Sequence, residues 1–213
     1  MSKIGLIDVD GHNFPNLALM KLSSWHKREG DSVEWYSGIE HYDRVYMSKV
    51  FAFTPDDLRV IQADEVVKGG SGYKMYDQTL PNEVEHICPD YSLYPMYNDA
   101  YGFLTRGCVN QCSFCIVPRK EGFIRKHADI TEFLSGRQSA TLMDNNVIAS
   151  DWGLNQIEKI ISLNVKVDFN QGLDCRIIAK DKNIAHLLSH VKWKRFLRMA
   201  YDLSLIHISE PTR

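Results

Sequence analysis

The sequence has no apolar run near the ~20 residues that a membrane-spanning helix needs. It also lacks an excess of either charge, because 25 Lys and Arg residues stand against 27 Asp and Glu residues. No global field is therefore available to hold a polyanion such as a nucleic acid. Residues 1–5 lack the basic region, the apolar core and the cleavage site of a secretory signal. These absences predict a cytoplasmic protein with no membrane segment and no clear nucleic-acid signal.

Glycine-rich phosphate loops of the two common spacings are also missing, although the first part of the chain alternates strands and helices as a nucleotide-binding fold does. Four short strand patterns and an amphipathic helical pattern at residues 16–28 follow one another there. Strands that alternate with helices form parallel βαβ units. Residues 1–72 are therefore predicted to form a small Rossmann-like parallel α/β domain.

The rest of the chain divides into a connector and a second α/β region. Residues 73–100 carry prolines that interrupt regular structure, together with tyrosines that would not stay in a free linker. They are predicted to be a Tyr- and Pro-rich connector. Residues 101–203 repeat a strand and helix rhythm four times, with the fourth strand at 196–200, which is half of a βα barrel or most of an open sheet. The predicted fold class is α/β, a Rossmann-like domain followed by a partial (βα) barrel.

Cysteine is scarce, with five in the chain, and three of them share one loop at Cys-x-x-x-Cys-x-x-Cys spacing. A loop this tight can turn all three sulfurs toward one point, and thiolates suit zinc or an iron–sulfur cluster. A structural zinc site wants four ligands, whereas a cubane cluster held by three leaves one iron open. Zinc remains an alternative, because Cys88, Cys175 or a histidine could supply a distant fourth ligand. The three residues are Cys108, Cys112 and Cys115.

With Phe114 just before the third cysteine, this loop resembles the signature of the radical S-adenosylmethionine (radical SAM) superfamily. The resemblance implies a 4Fe-4S cluster on Cys108, Cys112 and Cys115, with Phe114 among the cofactor-binding residues. It implies an enzyme whose open iron chelates S-adenosylmethionine, and in which the cofactor is cleaved to methionine and a 5′-deoxyadenosyl radical. It also implies an external electron donor of the flavodoxin or ferredoxin type. Residues 101–203 would then be the first four βα units of a radical SAM barrel.

Two polar segments after later strands resemble cofactor contacts of that family. Asp144, Asn145 and Asn146 follow the second strand of the barrel, where such enzymes carry residues for the methionine amino group. A helix-capping turn is the alternative, since Asp and Asn favour such turns. A second set follows the third strand and is expected to meet the ribose or the carboxylate, for which an arginine is the natural bidentate partner. A surface ion pair is the alternative there. The second set comprises Gln171, Asp174 and Arg176.

Residues 1–72 resemble the cobalamin-binding-like domain that precedes the barrel in many of these enzymes. The cobalt-ligating version carries Asp-x-His-x-x-Gly after its first strand, but here Asp10 and His12 are followed by Pro15 in place of the glycine. Proline changes the backbone that the motif uses. We therefore expect a domain of this fold that binds cobalamin without the histidine or does not bind it.

Two other functions fit parts of the sequence. A zinc- or iron–sulfur-stabilised binding module without turnover would account for the cysteine loop. A tRNA methylthiotransferase-like enzyme is suggested by residues 116–122, which resemble that branch of the superfamily. A cubane cluster absorbs visible light and zinc does not, so colour separates the zinc module from the enzymes.

The carboxyl end departs from the family pattern. Barrels of the superfamily have at least six strands, yet few residues follow the fourth predicted strand. Residues 204–213 resemble translated sequencing-adapter sequence and are predicted to be a non-native tail. We therefore expect a chain truncated at its carboxyl end, with an unpaired edge on the last strand.

Overall fold

The computed structural model describes residues 1–200, so the predicted tail at 204–213 lies outside the described residues. The chain divides between Tyr97 and Asn98 into two compact units. The elements of the first unit are β1 (Lys3–Asp8), α1 (Leu17–Arg28), β2 (Ser32–Trp35), β3 (Tyr42–Ser48), β4 (Ala63–Gly69) and α2 (Asn82–Glu85). The strands form one parallel sheet in the order β2-β1-β3-β4.

The first sheet buries apolar side chains on both of its faces, because neighbouring residues of a strand point to opposite sides. Ile4 and Leu6 of β1 lie in one core cluster with Leu19 of α1. Ile7 lies in a second cluster, with Val45 of β3. A parallel sheet covered in this way reads as a near-continuous apolar run, which is the pattern that predicted β1.

The tyrosine- and proline-rich segment packs on the first unit. The Cys88 carbonyl accepts a hydrogen bond from the Ser24 hydroxyl at 2.6 Å. The Tyr94 hydroxyl donates to Asp8 Oδ2 at 2.7 Å. Tyr94 is buried, as expected for aromatic residues that do not belong to a free linker. The segment up to Tyr97 is therefore part of the first compact unit.

The elements of the second unit are β5 (Ala100–Gly102), β6 (Thr105–Arg106), α3 (Val117–Lys120), β7 (Arg125–Lys126), α4 (Ile130–Leu134), β8 (Ser139–Leu142), α5 (Asp151–Ser162), β9 (Lys166–Phe169), β10 (Leu173–Asp174), α6 (Cys175–Lys180), α7 (Lys182–Ser189), β11 (Lys192–Trp193) and β12 (Met199–Ala200). Four of the strands form a second parallel sheet, in the order β11-β9-β8-β5. A short antiparallel pair, β6 with β7, and a short parallel pair, β10 with β12, accompany it. The predicted α/β fold class with parallel sheets is confirmed.

The fourth strand of the second sheet differs from its sequence prediction. Strand β9 pairs with β8 on one side and with β11, Lys192–Trp193, on the other, and not with residues 196–200. Helix α7 ends at Ser189, so the chain re-enters the sheet after a short turn. Residues Met199–Ala200 pair with β10 instead. Among residues 1–200, none of the helices is both long and apolar enough to cross a membrane.

An ion pair at the start of α4 is expected to make the stability of the protein depend on pH. Asp129 caps the helix, and its Oδ1 and Oδ2 accept hydrogen bonds from Lys159 Nζ at 2.6 and 2.7 Å. Although burial opposes it, the Lys159 ammonium and the Thr131 donors hold the pKa of Asp129 below its usual value. We expect Asp129→Asn, which keeps the cap, to cost about 1 kcal/mol at pH 7, since the pair is partly exposed. Because the pKa of Asp129 is lower in the folded state, its carboxylate stabilises the fold at pH values above the unfolded-state pKa of about 4. This stabilisation decreases as the pH falls below that value.

Urea unfolding of wild type and Asp129→Asn between pH 7 and pH 3 measures this difference. The difference in free energy of unfolding between the two proteins should decrease as the pH falls below about 4. Glu132→Gln, which preserves the capping box, is the matched control and should show little change at any pH. A gap that is constant across the range would contradict the ion-pair assignment.

Candidate metal centre

The predicted site residues lie at the carboxyl ends of parallel strands in the second unit. The segment after β5 leads into the cysteine loop, residues 107–122. Residues 143–146 follow β8 and residues 170–176 follow β9. A hydrogen bond of 2.8 Å from Asn170 N–H to the Leu142 carbonyl continues the contact between these strands. Neighbouring parallel strands end at the same edge of a sheet, so the fold brings the three segments to one edge.

Backbone contacts close the cysteine loop at its base. Strands β6 and β7 pair on either side of it, and Cys108 N–H donates to the Gly122 carbonyl at 3.2 Å. Gly107 has a φ of +82°, and a Cβ there would lie 2.2 Å from the Phe123 carbonyl oxygen. Both the left-handed backbone and this close approach require glycine. The loop therefore leaves and re-enters the fold at one point.

Sulfurs of the loop accept backbone hydrogen bonds. Cys108 Sγ accepts from Asn110 N–H at 3.4 Å, and Cys115 Sγ accepts from Val117 N–H at 3.5 Å. These bonds hold two of the sulfurs against the backbone of the loop, and cysteine binds metals through its sulfur. Within residues 1–200, none of the cysteines forms a disulfide bond. The loop thus supplies the donor chemistry of a cluster site, because soft thiolates suit iron–sulfur clusters.

The three thiols are not drawn together around one point. Across the described part of the chain, no three His, Cys, Asp or Glu side chains are arranged as a group that could hold a metal ion. Cys112 lies close enough to Arg176 to interact with its charge, whereas Cys108 Sγ lies 4.0 Å from Asn146 Nδ2. The predicted ligand set shares one loop and one edge of the sheet, and its assignment to a cluster stays a prediction.

Asp144 organises the chain just before the cysteine loop. Its carboxylate accepts the Leu104 N–H at 3.1 Å, the Thr105 N–H at 2.6 Å and the Thr105 hydroxyl at 2.7 Å. The residue is 1% exposed, and burial raises the pKa of its carboxyl to about 6, against these donors. The sequence predicted a cofactor contact here. The structure shows both oxygens engaged by Leu104 and Thr105, and a cofactor contact of Asp144 stays a prediction.

The two asparagines that follow have different surroundings. Asn145 Nδ2 donates to Glu121 Oε2 at 2.9 Å. Asn146 is 2% exposed, and its Oδ1 has no hydrogen-bond partner among the described residues. A buried acceptor without a donor costs about 1–3 kcal/mol. Asn146 therefore has an unsatisfied amide oxygen, while its amide nitrogen lies 4.0 Å from the sulfur of Cys108.

Glu121 is a site residue that the sequence analysis missed. Its carboxylate accepts from Gly107 N–H at 2.9 Å and from Arg106 Nη1 at 3.1 Å, in addition to Asn145. One signal in the sequence could have found it. Glu121 is the sole acidic residue of residues 107–122, and it stands directly after two basic residues.

The residues after β9 form an ion pair. Arg176 Nε and Nη2 donate to the Asp174 carboxylate at 2.8 and 2.6 Å. This pairing, with a 3.0 Å hydrogen bond from Asn110 Nδ2, lowers the pKa of Asp174 to about 2. Asn110 belongs to the cysteine loop, so Asp174 ties that loop to the segment after β9. The structure thus contains the ion pair considered as the alternative role, and a cofactor contact of Arg176 stays a prediction.

The remaining candidates lie in both units. Gln171 is exposed, and Phe114 is 65% exposed in the cysteine loop. Cys175 begins α6, whereas Cys88 lies in the first unit. His12 also lies in the first unit, with its ring centroid 4.4 Å from that of Trp35. That packing engages the imidazole within the unit, and it gives no support to a cobalt-ligating role.

Comparison with known proteins gives a structural likeness without a sequence match. No protein-family model matches the chain, and no curated protein matches it. The fold is similar to that of the radical S-adenosylmethionine methyltransferase TsrM from Kitasatospora setae with cobalamin and a 4Fe-4S cluster bound, at a TM-score of 0.58 and 13% identity. TsrM with tryptophan substrate and the SAM analogue aza-SAM bound gives a TM-score of 0.55, also at 13% identity.

The likeness extends over both units. The match to the first TsrM structure covers 91% of this chain and 58% of the TsrM chain. The match to the second covers 90% of this chain and 57% of the TsrM chain. This chain therefore spans less than two thirds of the length of the structures that it resembles. At such low identity the likeness establishes the fold alone, which is an α/β fold similar to that of TsrM.

Proposed function

We propose that the chain is part of a radical SAM enzyme that binds a 4Fe-4S cluster through Cys108, Cys112 and Cys115. The observation that carries the proposal is the buried Oδ1 of Asn146, which lacks a hydrogen donor and belongs to a residue 4.0 Å from Cys108 Sγ. A methionine ammonium beside a thiolate-held cluster would supply that donor. The radical SAM-related fold supports the same reading.

The residues present fit such a cofactor pair by their chemistry. The thiolates of the cysteine loop would hold the cluster, and Asn146 would accept a hydrogen bond from the amino group of S-adenosylmethionine. When bound, the cluster supplies the electron that cleaves the sulfonium to methionine and a 5′-deoxyadenosyl radical. Asp144 fixes the chain before the loop, and its occupied oxygens leave the amino-group contact to Asn146. An external electron donor of the flavodoxin or ferredoxin type is part of the proposal.

Cobalamin is not part of the proposal. TsrM binds it, and the first unit here has a sheet of the appropriate parallel class. However, Pro15 replaces the motif glycine, and the His12 ring contacts Trp35 and Tyr94. These observations do not favour His12 as a ligand of a cobalt ion.

Anaerobic reconstitution followed by reduction tests the proposed function. With dithionite and S-adenosylmethionine, the reconstituted chain is expected to release 5′-deoxyadenosine and methionine, measured by liquid chromatography. Asn146→Ala is expected to weaken S-adenosylmethionine binding about 10- to 100-fold, from the loss of one buried contact of about 1–3 kcal/mol, with the iron content unchanged. Calorimetric titration measures the affinity.

Asn155→Ala is the matched control, because Asn155 is exposed on α5. It should bind the cofactor as wild type does. Equal affinity in wild type and Asn146→Ala would return Asn146 to a structural role. A colourless protein that contains zinc and releases no 5′-deoxyadenosine would reject the enzyme and favour the binding module.

A further inference from the structure

Donors from two segments converge on the side chain of Glu121. Oε2 accepts from Gly107 N–H and from Asn145 Nδ2, both at 2.9 Å. Oε1 accepts from Arg106 Nη1 at 3.1 Å. The side chain is 12% exposed, so water competes little for these bonds. Hydrogen bonds to a charged acceptor are about twice as strong as neutral ones.

A carboxylate is the side chain that this geometry requires. Both oxygens of a glutamate accept, whereas a glutamine has one accepting oxygen and an NH₂ group that donates. With glutamine at position 121, the NH₂ would face either the Arg106 guanidinium or the pair of donors from Gly107 and Asn145. Either Arg106, or Gly107 together with Asn145, would then lose its hydrogen-bond acceptor. Aspartate is one methylene shorter, and would not reach these donors at hydrogen-bond distance.

The main chain around Glu121 lies at the base of the cysteine loop. Its N–H donates to the Val117 carbonyl at 2.8 Å, and its carbonyl accepts from Arg125 Nη1. The next carbonyl, of Gly122, accepts the Cys108 N–H at 3.2 Å. Glu121 therefore stands where the loop begins and ends, and its side chain reaches across to the segment that follows β8.

We propose that Glu121 is a positioning residue that joins the base of the cysteine loop to the segment after β8. Through Gly107 it fixes the residue that precedes Cys108, and through Asn145 it fixes the residue that precedes Asn146. The thiolate and the amide oxygen that the proposed function uses are thereby held in one arrangement. The arrangement itself is a property of the protein without cofactor, and its consequence for cofactor binding rests on the proposed function.

Amide hydrogen exchange of the full chain, without iron and under reducing conditions, tests the arrangement directly. Mass spectrometry would follow peptides covering residues 104–110 and 143–147. Glu121→Gln is expected to raise the exchange rate about tenfold in both peptides, the change that corresponds to about 1.4 kcal/mol. Glu158→Gln is the matched control, because Glu158 is exposed on α5, and should change neither peptide.

A second substitution tests the carboxylate argument by rescue. In Glu121→Gln, removing the competing donor with Arg106→Met lets the glutamine oxygen accept from Gly107 and Asn145. Exchange in the double variant should return to that of Arg106→Met alone, as a double-mutant cycle would show. Absence of rescue, or faster exchange in one peptide only, overturns the inference.

Asn145→Ala keeps the test decisive if Glu121→Gln does not fold. It removes one donor and touches neither Gly107 nor Cys108 in the contacts described above. Faster exchange in the peptide covering residues 104–110 would support the link through Glu121. An unchanged rate there would overturn it.

Electron paramagnetic resonance of the reconstituted, reduced protein tests the consequence. Addition of S-adenosylmethionine is expected to change the cluster spectrum of wild type, and to change that of Glu121→Gln much less at the same concentration. The double variant with Arg106→Met should regain the response of Arg106→Met alone. An identical response in wild type and Glu121→Gln overturns the inference while the proposed function stands. If wild type takes up no iron, the proposed function fails, and the exchange rates still decide the role of Glu121.

Discussion

Replacing any one of Cys108, Cys112 and Cys115 with alanine is expected to abolish iron incorporation. Anaerobic reconstitution of wild type with iron and sulfide should give about four irons per chain, the stoichiometry of a cubane cluster. A cluster held by these three thiolates alone would have no spare thiolate to replace the one removed. Iron and labile-sulfide assays, together with visible absorption, measure the loss.

Cys88→Ala and Cys175→Ala are the matched controls for the cysteine loop. Cys88 lies in the first unit, and Cys175 begins α6 beside the ion pair of Asp174 and Arg176. Both variants should retain the iron of wild type. Loss of iron in Cys175→Ala but not in Cys112→Ala would overturn the ligand assignment.

Asp144→Ala is expected to destabilise the chain by about 3 kcal/mol or more. The substitution leaves two backbone N–H groups and the Thr105 hydroxyl without their acceptor, and each buried unsatisfied group costs about 1–3 kcal/mol. Asp144→Asn, which retains one accepting oxygen, should fall between wild type and Asp144→Ala. Urea unfolding without iron, followed by circular dichroism, measures the free energies.

Asp151→Ala is the control for the Asp144 series. Asp151 is exposed at the start of α5, where its charge interacts with the helix terminus and is worth about 0.3–1 kcal/mol. If the free energy of unfolding of Asp144→Ala lies within about 0.5 kcal/mol of that of wild type, the carboxylate does not hold the segment before the cysteine loop.

Local patterns predicted the strands and helices wherever periodicity was strong. The first strand pattern became β1 and the amphipathic pattern at residues 16–28 became α1, and both patterns follow from burial of apolar side chains. The fourth strand of the second sheet was predicted at residues 196–200, but Lys192–Trp193 takes that place. Both stretches contain a two-residue strand, and only Lys192–Trp193 pairs with β9, whereas Met199–Ala200 pairs with β10. Strand pairing is a non-local event that no local pattern reports.

The roles of the site residues depended on partners distant in the sequence. Asp144 and its acceptor bonds to Leu104 and Thr105 span about forty positions. Glu121 and Asn145 are also far apart along the chain, and no local motif connects them. Asp144 and Asn145 were candidates in the sequence, but the hydrogen bonds that engage them form only once the segments around β5 and β8 lie side by side.

The sequence by itself determined the α/β class, the parallel sheets and the cysteine loop, because these depend on the period of apolar residues and on the spacing of three thiols within one segment. The tertiary structure alone decided which polar residue at the strand ends is left unsatisfied. The Asp144 carboxylate accepts from backbone N–H groups, and Asn145 donates to Glu121. Asn146 Oδ1, in contrast, is buried with no donor among the described residues. The reason is that burial and hydrogen-bond satisfaction are properties of three packed segments together, and a single segment does not contain them.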